Sequence, residues 1–204
     1  MDHLETEVKF YIGEVTSVRN KIFDLGASSS GRIFETNFLF DDKSKRLFEN
    51  RSLLRLRRSL KTSLTFKTKP ELSDDNFKIL RELEVEVSDF AVMSRILEFL
   101  GYNKERVYEK WRETFFIEDS SLCVDSMPYG NFLEIEGEKE SIRNLAKMIG
   151  LKWEERITLN YLELFKVVSS QYDLAFSDIT FDNFKNVKVD FSRCLPEIRK
   201  LCNF

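Results

Sequence analysis

The chain has three cysteines, Cys123, Cys194 and Cys202, and one histidine, His3. No Cys-x-x-Cys pair or His-rich cluster is present, so neither a zinc site nor a disulfide framework is expected, and the thiols read as reduced and buried. A lone His3, read as sitting at a cavity mouth or in solvent, leaves no His-based nucleophilic machinery. Glycine and proline are also scarce, at seven and three. There is no P-loop, GxGxxG loop or GxSxG elbow, and no linker-like stretch interrupts the first ~165 residues. No apolar run approaches the ~20 residues needed to cross a bilayer, and the start, Met1 to Glu5, has no apolar signal segment. A cytoplasmic location and no membrane partner are expected. The net charge of −3 lacks the excess of bases that a broad nucleic-acid-binding face needs, but leaves room for a local basic cavity.

What remains is rich in charge and in phenylalanine. Of 204 residues, 42% are hydrophobic and 33% charged, and 19 are Phe. That length suits one domain with a sizeable core, here built on large aromatics. Strict alternation predicts strands over His3–Tyr11, Arg32–Phe40, Ser52–Leu60, Ser63–Lys69, Lys78–Val87, Arg106–Glu118, Ser121–Ser126 and Phe132–Gly137. Helical periodicity predicts helices over Val15–Leu25, after a cap at Ser88 or Asp89, and before Gly150. Met127 to Asn131 reads as a turn, and Trp111 and Trp153 as packing residues. Three times a same-face carboxylate pair precedes an amphipathic helix ending at glycine: Glu5/Glu7 to Gly26, Glu84/Glu86 to Gly101, and Glu134/Glu136 to Gly150. Residues 1–165 form the expected domain, and 166–204 an extension packed on it. Helical periodicity from Leu159 to Val168 leads into the extension, which carries a short strand around Ile179 and a last helix over Ser192–Leu201.

The charges fall on the strands in same-face sets. Glu5, Glu7 and Lys9 share one face of the first strand; Arg55 and Arg57, then Lys67 and Lys69, follow on later ones. Glu82, Glu84 and Glu86 alternate with Leu83, Val85 and Val87, and Lys110 pairs with Arg112; Asp125, Glu134 and Glu136 complete the pattern. A solvated sheet face also carries charge. Here, however, the helices have strong apolar stripes that would cover the apolar strand faces, turning the charged faces inward around a curled sheet. So many buried charges are costly unless paired, hydrated or liganded. Converging Arg and Lys suit an anion with many oxygens, and carboxylates beside them suit a hard divalent cation between the two. Lys69 and Lys78 read as ordinary surface lysines.

Glu5-Thr6-Glu7-Val8-Lys9 resembles the ExExK signature of the CYTH superfamily of triphosphate tunnel metalloenzymes. These include class IV adenylyl cyclases, thiamine triphosphatases and inorganic triphosphatases. Leu54-Arg55-Leu56-Arg57, Thr65-Phe66-Lys67, Glu82 to Glu86, Lys110-Trp111-Arg112, Val124-Asp125 and Phe132 to Glu136 resemble its further motifs in order, and Tyr161-Leu162-Glu163-Leu164 its closing segment. The resemblance implies an α+β fold: an eight-stranded antiparallel β-barrel, or triphosphate tunnel, with helices packed outside. It implies a triphosphate grip of Lys9, Arg55, Arg57, Lys67, Lys110 and Arg112, with Lys9, Arg57 and Lys67 catalytic. It also implies that Mg²⁺ or Mn²⁺ is held by Glu5, Glu7, Glu84, Glu86, Asp125, Glu134 and Glu136, while alternation leaves open which of Glu82, Glu84 and Glu86 take part. The short turn at Met127 to Asn131 departs from the longer Gly-rich turn of many relatives. The expected partner is a triphosphate-bearing small molecule, with no nucleic acid and with a homodimer left open. Triphosphatase chemistry ranks first, a class IV adenylyl cyclase making cyclic AMP and pyrophosphate second, and a non-catalytic polyphosphate- or nucleotide-binding module third.

Overall fold

The computed structural model describes residues 3–71 and 74–202; the side chain of His3 lies outside what is described. In chain order the elements are β1 (His3–Tyr11), α1 (Val15–Asp24), β2 (Ser28–Asp41), α2 (Arg46–Glu49), β3 (Leu53–Arg58), β4 (Thr62–Thr68), β5 (Lys78–Val87), α3 (Phe90–Phe99), β6 (Asn103–Ile117), β7 (Ser120–Met127), β8 (Gly130–Glu136), α4 (Lys139–Ile149), β9 (Arg156–Ile157), α5 (Tyr161–Tyr172) and α6 (Leu195–Leu201). A 3₁₀ turn precedes α6 at Phe191–Cys194.

The strands follow one another in space as β5-β4-β3-β2-β6-β7-β8-β1, and a β1–β5 pairing closes the circle. Every pairing between these strands is antiparallel, so this is the eight-stranded antiparallel barrel with helices outside. Closure relies on β1 serving two partners along its length. Residues His3 to Glu7 pair with β5, and Glu7 to Tyr11 pair with β8. Beyond the end of β5 the short β9 takes over that free edge at Lys9 and Phe10.

Side chains of one strand point alternately into and out of a barrel, and here both directions are buried. On β1, Val8 and Phe10 lie outward in a cluster with Ile22 of α1 and Ile142 and Ile149 of α4. Glu7 and Lys9 point inward and are also buried. On β3, Leu56 packs outward beneath Leu97 of α3 while Arg55 is buried inside. α1 and α4 therefore cover the apolar faces of the strands beneath them, but of the stripe expected on α3 only Leu97 is buried: Val92, Ile96 and Leu100 stay exposed, as do Leu83 and Val85 of β5. Asp89 caps α3, its carboxylate accepting a hydrogen bond from the Val92 N–H at 2.9 Å. The glycines after α1, α3 and α4 all sit at positive φ, the left-handed backbone that ends a helix at little cost for glycine alone.

The last forty or so residues build a third cluster at the end of the barrel where β7 turns into β8. Phe165 and Val168 of α5, with Phe184, Phe191, Cys194 and Ile198, pack on Met127, Tyr129 and Phe132. The two-residue turn Pro128–Tyr129 takes part: Tyr129 is buried and its hydroxyl donates to the Tyr161 carbonyl at 2.9 Å. The three thiols are free and buried. Trp153 packs against Phe10 and Phe77, but Trp111 lies half-exposed beside Phe34 and Arg32. Among the described residues no helix is long and apolar enough to cross a membrane.

Candidate active site

The barrel interior opens into a cavity of about 1100 Å³. Among the described residues, ten basic and ten acidic side chains line it. A cavity with one sign of charge would suit one ion; balanced charge of this density suits an anion and a cation bound together.

Seven of the basic side chains come from five strands. Lys9 of β1 has its ammonium 2.6 Å from Glu7 and 3.0 Å from Glu134. Arg55 of β3 donates to the Tyr108 hydroxyl at 3.3 Å and to Thr65 Oγ1 at 3.2 Å. Arg57 donates through Nε to Asn37 Oδ1 at 3.2 Å. Lys67 of β4 lies between Glu5 and Glu82, 2.5 Å from the latter. On β6, Lys110 donates to Asp125 at 2.9 Å, and Arg112 donates to Asp125 at 2.7 Å and to Glu134. Lys78 of β5, directly across from Glu7 in the β1–β5 register, reaches it at 2.7 Å. It lines the cavity, contrary to its reading as a surface lysine; Lys69 borders the cavity as well but is exposed, as read.

Electrostatics divide the acids into two kinds. Burial disfavours ionised Glu7, but Lys78 and Lys9 outweigh it and hold its carboxyl well below the usual range. Burial likewise opposes charge on Glu134, and Lys9, Arg112 and Lys110 together prevail. Glu5 and Glu136 behave oppositely. Burial, then the charge of Glu7, raises Glu5. Burial, then the charges of Glu5 and Glu7, pushes Glu136 up to about 7. Glu136 has one weak partner, the Ser121 hydroxyl at 3.4 Å. Negative charge in this part of the barrel is thus under-compensated.

That under-compensation bears on the metal implied by the family resemblance. Among the described residues no group of three or more His, Cys, Asp or Glu side chains is already arranged to hold a metal ion. Most of the acids are drawn onto neighbouring ammonium or guanidinium groups instead. The donor chemistry nevertheless fits a hard divalent cation: Glu5, Glu7, Glu134 and Glu136 offer oxygens only, and Glu5 and Glu136 are raised by burial and mutual repulsion.

The expected site residues separate by position. Lys9, Arg55, Arg57, Lys67, Lys110, Arg112, Glu5, Glu7, Glu84, Glu134 and Glu136 line the one cavity. Asp125 is fully buried behind it, held by Lys110, Arg112 and the Tyr161 hydroxyl at 2.7 Å. Glu86 does not line the cavity: it is largely exposed and paired with Lys61 at 2.7 Å, so the structure does not bring it to the other expected ligands. Of the three acids on β5, Glu82 is the most enclosed and Glu84 accepts from the Thr65 hydroxyl at 2.6 Å.

Sequence reasoning missed Glu35, Asn37, Tyr108 and Tyr161. Glu35 and Asn37 are 1% and 0% exposed, on the inward face of β2. They share the two-residue spacing of Arg55 and Arg57, but with a neutral amide in place of the second charge. Tyr161, at the start of α5, reaches into the barrel so that its ring lies 5.2 Å from the ammonium groups of both Lys9 and Lys110.

Comparison with known proteins bears on this arrangement. The CYTH domain family model matches residues 3–169. No curated protein matches the chain by sequence. Among solved structures, the PH1012 protein from Pyrococcus horikoshii OT3 is similar, with 28% identity, a TM-score of 0.67, and coverage of 78% of this chain and 98% of that one. A Vibrio parahaemolyticus protein, provisionally assigned as an adenylate cyclase, has a TM-score of 0.71 at 17% identity, covering 81% and 99% of the two chains. HpAC1 from Hippeastrum, named for an adenylyl cyclase assignment and described as having a dominant triphosphatase activity, has a TM-score of 0.56 at 18% identity, covering 79% and 95%. At those identities the last two likenesses speak to the fold.

Proposed function

The chain belongs to the CYTH domain family, and from that membership we propose that it is a divalent-metal-dependent phosphoryl-transfer enzyme, a triphosphatase, acting on a triphosphate held inside the barrel. The observation that carries the proposal is the balanced charge of the cavity, ten bases facing ten acids. A polyanion alone would face the acids, and a cation alone would face the bases.

Each residue has a role that follows from its position. Arg55, Arg57, Lys67, Lys110 and Arg112 bind the phosphate oxygens, the arginines through forked donors. Lys67 and Arg112 would exchange carboxylate partners for phosphate, whereas Arg55 and Arg57 are hydrogen-bonded to the neutral side chains of Tyr108, Thr65 and Asn37. Lys9, held between Glu7 and Glu134, steadies charge that grows on the transferred group, and Arg57 and Lys67 share that task. Glu5, Glu7 and Glu134, released from their ammonium and guanidinium partners, would hold the cation together with Glu136, with Glu84 nearer the opening. When bound, Mg²⁺ or Mn²⁺ supplies charge neutralisation at the phosphate oxygens. Asp125 positions Lys110 and Arg112 from behind.

A second reading, cyclisation of ATP to cyclic AMP and pyrophosphate, gains support from Phe48, Leu53, Phe77, Leu159 and Leu162, apolar side chains lining the cavity where a base could lie. The test incubates the purified protein with Mg²⁺ or Mn²⁺ and tripolyphosphate, thiamine triphosphate or ATP, and resolves the products. Orthophosphate without cyclic AMP supports the triphosphatase reading; cyclic AMP with pyrophosphate replaces it with the cyclase. No turnover of any of the three rejects both.

A further inference from the structure

One carboxylate in the barrel belongs to neither half of the proposed site. Glu35 of β2 is 1% exposed and does not line the cavity. It stands among the bases of the grip rather than among the acids. Its Oε1 is 3.6 Å from Arg57 Nη1 and its Oε2 is 3.7 Å from Lys110 Nζ. Both distances are those of ion pairs without hydrogen bonds, and Oε2 accepts none at all. Each cation has a hydrogen bond to another side chain: Arg57 donates through Nε to Asn37, and Lys110 to Asp125. Burial opposes charge on Glu35, but Lys110, Arg57, Arg112 and Arg55, in that order, keep it ionised.

This is an unusual way to use a buried carboxylate. A structural ion pair at full burial is normally closed by short, forked hydrogen bonds that offset desolvation. Glu35 is left loose between two cations that themselves line the cavity. We propose that Glu35 is a fixed internal counter-ion of the phosphate grip, a positioning residue that lowers the field at the bound polyanion and so limits affinity and speeds product departure. The inference rests on the polyanion reading of the cavity. The field follows from position: a negative charge within 4 Å of two gripping cations, in a water-poor interior, subtracts from their attraction for any phosphate they hold. A grip of this many cations without such a brake would hold its product too well, and tight uniform binding does not raise turnover.

The test is calorimetric titration of inorganic tripolyphosphate into wild-type protein, Glu35→Gln and Asn37→Asp, in chelator and at fixed ionic strength, so that no turnover intervenes. Glu35→Gln keeps the shape and removes the charge. Its affinity is expected to rise on the order of tenfold, and in the turnover assay KM and kcat should fall together as release slows. Asn37→Asp adds a second negative charge beside Arg57 and should weaken binding by a similar factor. The double variant restores the charge count and should return to near wild-type affinity. A role confined to folding predicts weaker binding in Glu35→Gln and no rescue by Asn37→Asp. Equal or weaker binding by Glu35→Gln, with wild-type protein binding normally, overturns the counter-ion role and leaves the polyanion reading standing. Should Glu35→Gln fail to fold, undiminished affinity in Asn37→Asp overturns the role just as well. Absence of binding by folded wild-type protein overturns the polyanion reading and this inference with it.

Discussion

Replacing Lys9 by methionine isolates what the buried charge network contributes. The ammonium is 2% exposed and lies 2.6 Å from Glu7 and 3.0 Å from Glu134. Methionine keeps an unbranched apolar stem of similar length and deletes the charge, leaving two buried carboxylates facing each other. Removing one member of a buried pair costs about 3–5 kcal/mol. The lower end applies here, because Glu7 keeps Lys78 at 2.7 Å and Glu134 keeps Arg112. We therefore expect a loss of about 3 kcal/mol at pH 8. The loss must depend on pH. In the wild-type protein both carboxyls are held below their unfolded values, so their contribution is present above that value and is lost as pH falls through the folded one. Without Lys9 their folded values rise, and a proton taken up near pH 5.5 relieves the repulsion. The loss at pH 5.5 should then be smaller by about 1 kcal/mol or more. Urea unfolding followed by tryptophan fluorescence at the two pH values measures both numbers. A loss below about 1 kcal/mol at pH 8, or one equal at both pH values, would refute the argument that Lys9 holds two ionised partners.

Tyr161→Phe removes the hydroxyl that donates to Asp125 at 2.7 Å and should cost about 1.5–3 kcal/mol in the same unfolding assay, the range for hydrogen bonds to charged groups. Glu5→Gln should abolish metal-dependent orthophosphate release while far-ultraviolet circular dichroism stays unchanged, since the amide retains the shape but not the charge a divalent cation requires. Glu136 has a folded value of about 7 against 4.5 unfolded, so the folded protein binds its proton more tightly. Ligand-free stability should therefore fall as pH rises from about 4.5 through 7, through this group, and Glu136→Gln should flatten that slope in thermal melts.

How far the sequence disclosed this barrel depended on how strictly each segment alternates. β1 and β5 begin and end where alternation predicts, at His3–Tyr11 and Lys78–Val87, because every second residue is charged. β2 starts at Ser28 rather than Arg32. Its first four residues, Ser28 to Gly31, have no alternation to read, and the register shifts between Ser29 and Arg32. The two-residue β9 is too short to carry any period. The strand expected around Ile179 is a single parallel bridge to Tyr108, held by backbone hydrogen bonds of Ile179 to Val107 and Glu109. The final helix divides into a 3₁₀ turn and α6. At the candidate site, the strands that repeat a charge two residues apart were legible, and those with one charge beside a neutral amide were not. Glu35 and Asn37 show this. Asp125 and Glu86 show the converse: alternation gives the face but not the depth, and one lies sealed behind the grip while the other is exposed outside the cavity lining.

A crystal structure with tripolyphosphate and Mn²⁺ shows whether the phosphate chain and a divalent cation occupy the barrel together. Phosphate oxygens should lie against Arg55, Arg57, Lys67, Lys110 and Arg112, with anomalous density for manganese between them and carboxylates drawn from Glu5, Glu7, Glu134 and Glu136. Phosphate bound only outside the barrel, or manganese away from those carboxylates, would contradict that arrangement.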